Sequence, residues 1–486
     1  MSELKSAVIS GLKWNTSSRI YTAFVKVVQV AILTRFISKE EFGLVGVALL
    51  VNSFCLVFAD VGLSAATMHI KNITREQFSS FYWLNIAMGF SLMVVAGLIS
   101  PFIADYYHEP ELVAIVSITS IILFTDSIFT LQRTIQQKNF SFRFMSVVEI
   151  CSSTLLLISN VLFAINGFGI FSLVWSSLLG SIFKSVCYLF VGVFKEHNIC
   201  FHFSITDVKE PLKIGLFSVG GDVLDFLSSQ LDSFIISSCF TMELFGIYTL
   251  CKTLASKLYQ FINPVINNVL MPIMARIQDD KEKMTYHYFR CVDILGIINF
   301  PFYSIIAFLS FSILIVLYGE SYSNYCYLLA CLSFYYACAS LNNPVGALTI
   351  STGRTDYGLY WTVLRIIILS VYYYFITMLS FKAFAFALLL IPILMAYPFW
   401  ITVFSRLTTI SFREYFLIPI KPLLCCLPLF PFYFIDRWLA TPLLSLLIIP
   451  PFMIVIYGMF VYIFRKELFD EIQSITLEFY KKQIYK

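Results

Sequence analysis

The chain reads as an all-α integral membrane protein with about 14 transmembrane helices, arranged as two six-helix lobes plus two C-terminal helices. Three observations predict this. Of 486 residues, 59% are hydrophobic and only 13% are charged, against about 25% charged in a soluble domain. The apolar residues fall into runs of about 20, the length needed to cross a bilayer. The polar residues inside those runs repeat at a fixed offset of 203 positions.

In order, the runs lie near 14–34, 43–66, 82–103, 112–131, 145–165, 169–193, 214–238, 244–270, 291–317, 323–345, 357–379, 383–404, 417–435 and 442–464. The tenth and thirteenth are the least regular, the latter because Pro428 and Pro431 interrupt it. Met1 to Lys13 holds Glu3, Lys5 and Lys13 with no cleavage-site pattern, so it is not a removable signal. Leu4, Val8 and Leu12 recur at helical spacing, which predicts a short surface helix ahead of the first span. The repeat places the first lobe at 1–193 and the second at 214–404, joined by a linker over 194–213. The two extra spans occupy 405–464 and an amphipathic tail 465–486, with Leu468, Ile472, Ile475 and Phe479 on one face.

With the N-terminus placed inside, 22 Lys and Arg fall on the inner side, 4 on the outer side and 7 within spans. This bias predicts cytoplasmic termini. The twelve Cys sit almost wholly in apolar runs without CxxC spacing and read as small buried hydrophobes. The five His are scattered in loops, so neither a metal site nor a cofactor is expected.

The seven charges within spans are Arg19, Lys26, Lys184, Lys252, Lys257, Arg365 and Lys421. Each costs roughly 2.5–3.5 kcal/mol at the bilayer centre, so most should face a wet interior. Lys184 and Lys421 lie near span ends, where they can snorkel. The first span carries Asn15, Arg19, Thr22, Lys26 and Gln29 at i, i+4, i+7, i+11 and i+14, one face of a helix. Adding 203 gives Ser218, Asp222, Asp225, Ser229 and Asp232 in the seventh span. The same offset lays Glu40-Glu41-Phe42-Gly43 on Glu243-Leu244-Phe245-Gly246, and Asp60 on Asn263. A repeat of six spans returns the chain in the same sense, so the halves should relate by an axis along the membrane normal with the site between them. The eighth span adds Lys252, Ser256, Gln260 and Asn263, and Pro264 should kink or break it. Glu149 in the fifth span and Arg365 in the eleventh complete the set, the latter 216 residues after the former.

These residues carry a resemblance. Trp14-Asn15-Thr16-Ser17-Ser18-Arg19, Leu33-Thr34-Arg35-Phe36, Glu41-Phe42-Gly43 and Phe58-Ala59-Asp60-Val61-Gly62-Leu63-Ser64 are among the matching pieces. Leu231-Asp232-Ser233, Phe245-Gly246-Ile247-Tyr248 and Ser351-Thr352-Gly353-Arg354 follow in the same order. Over spans 1 to about 12 the chain resembles the polysaccharide transporters (Wzx-type oligosaccharide flippases) of the multidrug/oligosaccharidyl-lipid/polysaccharide (MOP) exporter superfamily. The resemblance implies MATE-like lobes around a cavity with alternating access. It also implies a cargo of undecaprenyl diphosphate carrying an oligosaccharide unit for O-antigen, capsule, exopolysaccharide or teichuronic-type polymer synthesis, with other assembly proteins as partners and no nucleic acid. Related lipid flippases place a first-span arginine in the cavity, which corresponds here to Arg19.

The expected cargo site is Arg19, Lys26, Asn15, Gln29, Lys252 and Arg365. Asp222, Asp225, Asp60 and Glu149 are expected in Na⁺ or H⁺ coupling or sugar binding. Two rivals stand beside this reading. A cation-coupled drug or small-molecule exporter of the same superfamily would use the acidic stripe. A membrane polysaccharide polymerase or ligase would need a large outer loop, and the outer loops are short.

Overall fold

The computed structural model describes residues 2–196, 199–439 and 441–466; the predicted amphipathic tail therefore lies almost wholly outside the described residues. Among these there are helices and no strands. Chain contacts divide the molecule into two compact units, Met1–Gly246 and Ile247–Lys486.

The first unit opens with α1 (Ser2–Leu33), followed by α2 (Lys39–Val57), α3 (Leu63–His69), α4 (Arg75–Tyr107) and α5 (Glu111–Lys138). Then come α6 (Phe142–Ile165), α7 (Phe171–Phe190) with a π-helical extension Val191–Lys195, and α8 (Ile205–Cys239). The surface helix expected before the first span is not separate: α1 runs unbroken from Ser2, because nothing between Lys13 and Trp14 interrupts helix formation. The second span is broken instead, at 58–62 between α2 and α3, where Gly62 takes φ +73°. The α2 start is fixed by a capping box in which Glu41 N–H donates to Ser38 Oγ at 3.2 Å and Ser38 N–H to Glu41 Oε2 at 2.7 Å. Glu41 Oε1 also accepts the Ile170 N–H at 3.1 Å, tying the start of α7 to α2.

The connection into α8 is fastened to α4. Trp83 Nε1 donates to Cys200 O at 2.9 Å, Cys200 N–H to Ser79 Oγ at 2.9 Å, and Ser204 N–H to Ser80 Oγ at 3.1 Å. Phe201 stacks on Trp83 at 5.4 Å. The linker expected over 194–213 thus begins as a π turn, docks on α4 and ends inside α8.

The 203-residue offset reappears as a reciprocal contact at the α2 start. A Cβ on Gly43 would overlap the carbonyl of Met242, and one on Gly246 would overlap the carbonyl of Lys39. Lys39 and Met242 are themselves 203 apart, as are Gly43 and Gly246. Only glycine at both positions lets the two backbones approach this closely. Lys39 Nζ also meets Glu243 Oε1 at 3.3 Å.

The second unit holds most of α9 (Met242–Arg276), then α10 (Lys281–Phe308), α11 (Ser310–Tyr318), α12 (Cys326–Asn342) and α13 (Val345–Ser351). After these come α14 (Thr355–Thr377), α15 (Phe381–Ala387), α16 (Ile391–Phe399) and α17 (Ser405–Leu407). The chain closes with α18 (Phe412–Leu417), α19 (Ile420–Cys426), α20 (Pro431–Trp438) and α21 (Pro442–Phe464). The helix α9 is continuous through Pro264, so the expected break there does not occur. The thirteenth span is segmented where its prolines predict, with a 3₁₀ turn over Leu427–Leu429. The two extra spans are not peripheral. Cys425, Leu429, Ile449, Met453 and Val461 share one buried core with Tyr288, Leu295 and Phe300 of α10. Arg465 pairs with Asp293 of α10 at 2.7 Å, both largely buried.

All fourteen sequence-read spans fall on helical segments. Ten helices or helical runs are long and apolar enough to cross a membrane among the described residues. The remaining four spans are α1, α8 and α9, which carry the polar stripes, and α12, which has 17 residues.

Candidate functional site

On α1 the helical period puts Arg19 and Lys26 on an exposed face. The helix packs on α6 by another side, where Tyr21 and Thr154 share a 2.8 Å hydrogen bond. Arg19 Nε donates to Asn15 Oδ1 at 3.2 Å, so Asn15 orients the guanidinium. Neither Arg19 nor Lys26 has an acidic partner among the described residues. Gln29 is 7% exposed and closes the buried end of the stripe. The face is not purely polar: Ile20 and Phe24 are 61% and 66% exposed beside it.

The matching residues of α8, Asp222 and Asp225, are also exposed, and each has an interacting partner. Asp232 accepts the N–H of Ser233 at 2.8 Å. Asp60 does a structural task, its Oδ1 accepting the Ser64 N–H at 2.9 Å in the first turn of α3. This satisfies one of the donors that every helix start leaves open.

Glu149 is paired. Lys184 Nζ of α7 lies 3.1 Å from its Oε1, with side chains 24% and 38% exposed. Lys184 therefore reaches across to α6 rather than snorkelling as its sequence position suggests. Sequence reading missed the third member of this group, Asp126 on α5. It accepts a short hydrogen bond from the Ser181 hydroxyl, and Lys184, Glu149 and Arg133 act on it electrostatically. Ser181 also pairs with Thr125 at 2.6 Å, and Ser185 donates to Thr125 O at 2.6 Å. The signal was present as Thr125-Asp126-Ser127 inside an apolar run.

In the second unit, Lys252 is half-buried with its Nζ 5.9 Å from the Tyr248 ring centre. Arg365 is half-buried on α14, hydrogen-bonded to Tyr335 and neighboured by Tyr259 and Tyr373. Tyr259 in turn accepts from Asn343 Nδ2 at 2.5 Å. The structure thus brings together Asn15 with Arg19 and Glu149 with Lys184. It places Arg19, Lys26, Asn15, Gln29, Asp222, Asp225, Asp60 and Glu149 in the first unit, and Lys252 and Arg365 in the second. No group of three or more His, Cys, Asp or Glu with metal-holding geometry occurs among the described residues.

A helical chain with ten segments long and apolar enough to cross a membrane among the described residues, a cationic stripe on α1 and an acidic one on α8, is a multi-pass membrane protein. It belongs to the polysaccharide biosynthesis protein family, whose model matches residues 32–327. It is 25% identical over 365 residues to the lipopolysaccharide biosynthesis protein WzxC of Escherichia coli K12, covering 74% of this chain and 73% of that one. It is 26% identical to the teichuronic acid biosynthesis protein TuaB of Bacillus subtilis, covering 74% of each. The succinoglycan biosynthesis transport protein ExoT of Rhizobium meliloti is 25% identical over 65% of this chain and 63% of its own. The fold matches the lipid II flippase MurJ, with TM-score 0.73 at 14% identity over 93% of this chain and 99% of that one. It also matches an inward-facing MATE-family multidrug transporter of the MOP superfamily, with TM-score 0.65 at 13% identity over 79% and 94%.

Proposed function

We propose that this protein is a flippase that carries an undecaprenyl-diphosphate-linked oligosaccharide from the cytoplasmic to the outer leaflet of the bacterial inner membrane, for surface polysaccharide assembly. The observation that carries the reading is the pair Arg19 and Lys26, exposed on one face of α1 without an acidic partner among the described residues. A diphosphate moving through about 30 Å of hydrocarbon needs its charge neutralised. Guanidinium meets phosphate oxygens through a planar pair of N–H groups, and ammonium through a point charge. Arg19, steadied by Asn15, takes the first role and Lys26 the second. Hydroxyl and amide side chains along the stripes hold the sugars, and the lipid tail stays in the bilayer. The names of the relatives, all in polysaccharide biosynthesis, support this cargo class.

Both termini lie in the cytoplasm in this reading, as the distribution of basic loops requires. Coupling to Na⁺ or H⁺ is assigned to Asp222 and Asp225 on the exposed face of α8, while Asp60 caps α3 and Glu149 pairs with Lys184. Those exposed carboxylates are also what a cation-coupled drug exporter would use. Complementation separates the two readings. In a strain lacking its own flippase for a matching glycan, this chain restores surface polymer and Arg19→Ala with Lys26→Ala lowers it at least tenfold. Full export by that double variant, or drug resistance without polymer, would overturn the proposal.

A further inference from the structure

Asp436 lies on α20, which packs against both α11 and α21. That helix exposes Phe434, Ile435 and Trp438, yet its carboxylate is 0% exposed. A charge so near a span end could have turned to water, and this one turns into the protein. Its Oδ2 accepts the Ser312 N–H of α11 at 3.2 Å. Its Oδ1 has no hydrogen-bond partner. Among the described residues Asp436 makes no ion pair. Arg437, next in sequence, is directed elsewhere. It donates through Nη2 to Cys326 Sγ at 2.9 Å, and its guanidinium carbon lies 4.6 Å from the Tyr433 ring centre and 5.9 Å from that of Phe311.

Two hydroxyls face the same carboxylate, Ser312 from α11 and Ser445 from α21. Both residues are 0% exposed, and neither hydroxyl closes a hydrogen bond of normal geometry among the described residues. Helical hydroxyls elsewhere in this unit are used differently. Ser333, Ser340 and Thr408 each donate at 2.7 Å to a carbonyl three or four residues back. Ser304 and Ser310 are also buried without a partner, so an idle hydroxyl is no signal by itself. Ser312 and Ser445 differ in sharing a carboxylate. Three oxygens from three helices, Asp436 Oδ1, Ser312 Oγ and Ser445 Oγ, thus meet out of water with no hydrogen bond among them. A buried carboxylate is neutralised by an ion pair, a proton or a metal ion, and unsatisfied polar atoms at one place mark a water or an ion.

We propose that Asp436, Ser312 and Ser445 form a Na⁺ site that fastens the last two spans to α11. One carboxylate balances a single positive charge, and two hydroxyl oxygens extend a shell suited to a hard cation. A divalent ion such as Ca²⁺ takes a fuller oxygen shell with more carboxylates. Softer metals favour thiolate and imidazole, which this set lacks. The ion ties α20 and α21 to the segment that follows the junction of α10 and α11 at Leu309. Its work is bracing, so it stands whatever the cargo. It is also separate from Asp222 and Asp225, which belong to the first unit.

The test melts the purified full-length chain in nanodiscs at one ionic strength in NaCl, KCl or choline chloride. A ligand that binds only the folded state stabilises it by mass action, so NaCl should raise the melting temperature over choline chloride by at least about 3 °C. KCl should give less than half that rise. Asp436→Asn retains an oxygen for the Ser312 N–H and removes the charge. The comparison is repeated with Asp222→Asn and Asp225→Asn in place, so that coupling carboxylates do not enter, and there Asp436→Asn should abolish the rise. Ser312→Ala and Ser445→Ala should each raise the Na⁺ concentration for half the effect at least threefold. Equal melting in NaCl and choline chloride, as a proton or a buried water at Asp436 would give, overturns the proposal. So does an equal rise in KCl, or an undiminished rise in Asp436→Asn. Should Asp436→Asn fail to fold, the wild-type salt comparison and the two serine variants decide.

Discussion

Asp126, Glu149 and Lys184 show how a charge can be kept within apolar helices without serving a ligand. Lys184 and Glu149 satisfy one another across α6 and α7, and Asp126 is held by Ser181 from α7. Polar pairs between membrane helices contribute about 0.6 kcal/mol on average, because the separated helices also find partners. Lys184→Ala is therefore expected to lower thermal stability modestly, by about 1 kcal/mol. Exchanging the pair, Glu149→Lys with Lys184→Glu, should recover both stability and transport in a melting assay and a complementation assay. Recovery of stability without transport would mean that Glu149 has a role beyond its ion pair. Arg19 and Lys26 differ in having no such partner among the described residues, which is why the same residue types in similar apolar surroundings are assigned different work. Arg19→Lys should retain part of the export that Arg19→Ala loses, since ammonium keeps the charge but not the bidentate geometry.

At the level of elements, the apolar runs and the repeat were readable because they depend on one-dimensional patterns. All fourteen runs became helices, and the 203-residue offset became a physical contact between Gly43, Met242, Lys39 and Gly246. The capping residues follow the same offset: Glu41 N–H donates to Ser38 Oγ at 3.2 Å and Leu244 N–H to Thr241 Oγ1 at 3.4 Å. Other features depend on what lies across space. Nothing in the order of residues tells that α1 continues through Lys13, that α9 passes Pro264 unbroken, or that Lys184 turns towards α6. Asp126 went unread because a lone carboxylate between two hydroxyl residues has no periodic partner on its own helix. The final spans read as an appendix since they lack repeat counterparts, yet their side chains complete the core of the second unit. A Cβ at Gly43 or Gly246 has to displace backbone, and overpacking of this kind costs typically about 1–3 kcal/mol. Gly43→Ala and Gly246→Ala should each lower the melting temperature, with Val worse than Ala. An unchanged melting point in either variant would contradict the close backbone approach.

At the scale of the whole molecule, the transport cycle proposed above would have the turns that hold Lys39 and Glu243 separate when the carrier opens on that side. Lys39→Cys with Glu243→Cys should form a disulfide under mild oxidant, since the two positions already meet through a 3.3 Å ion pair. The cross-linked carrier is expected to lose at least nine-tenths of its export, and reductant should restore it. Undiminished export by the fully cross-linked protein would show that this end of the fold stays closed throughout the cycle.

The most direct measurement follows a defined undecaprenyl-diphosphate-linked oligosaccharide across the bilayer of proteoliposomes holding the purified chain, using a membrane-impermeant reagent that oxidises only exposed sugars. Wild-type protein should expose the inner pool at least tenfold faster than protein-free liposomes, and Arg19→Ala with Lys26→Ala should fall to the protein-free rate. A wild-type rate equal to that of bare liposomes with a matched glycan, or a double variant as fast as wild type, would contradict the account.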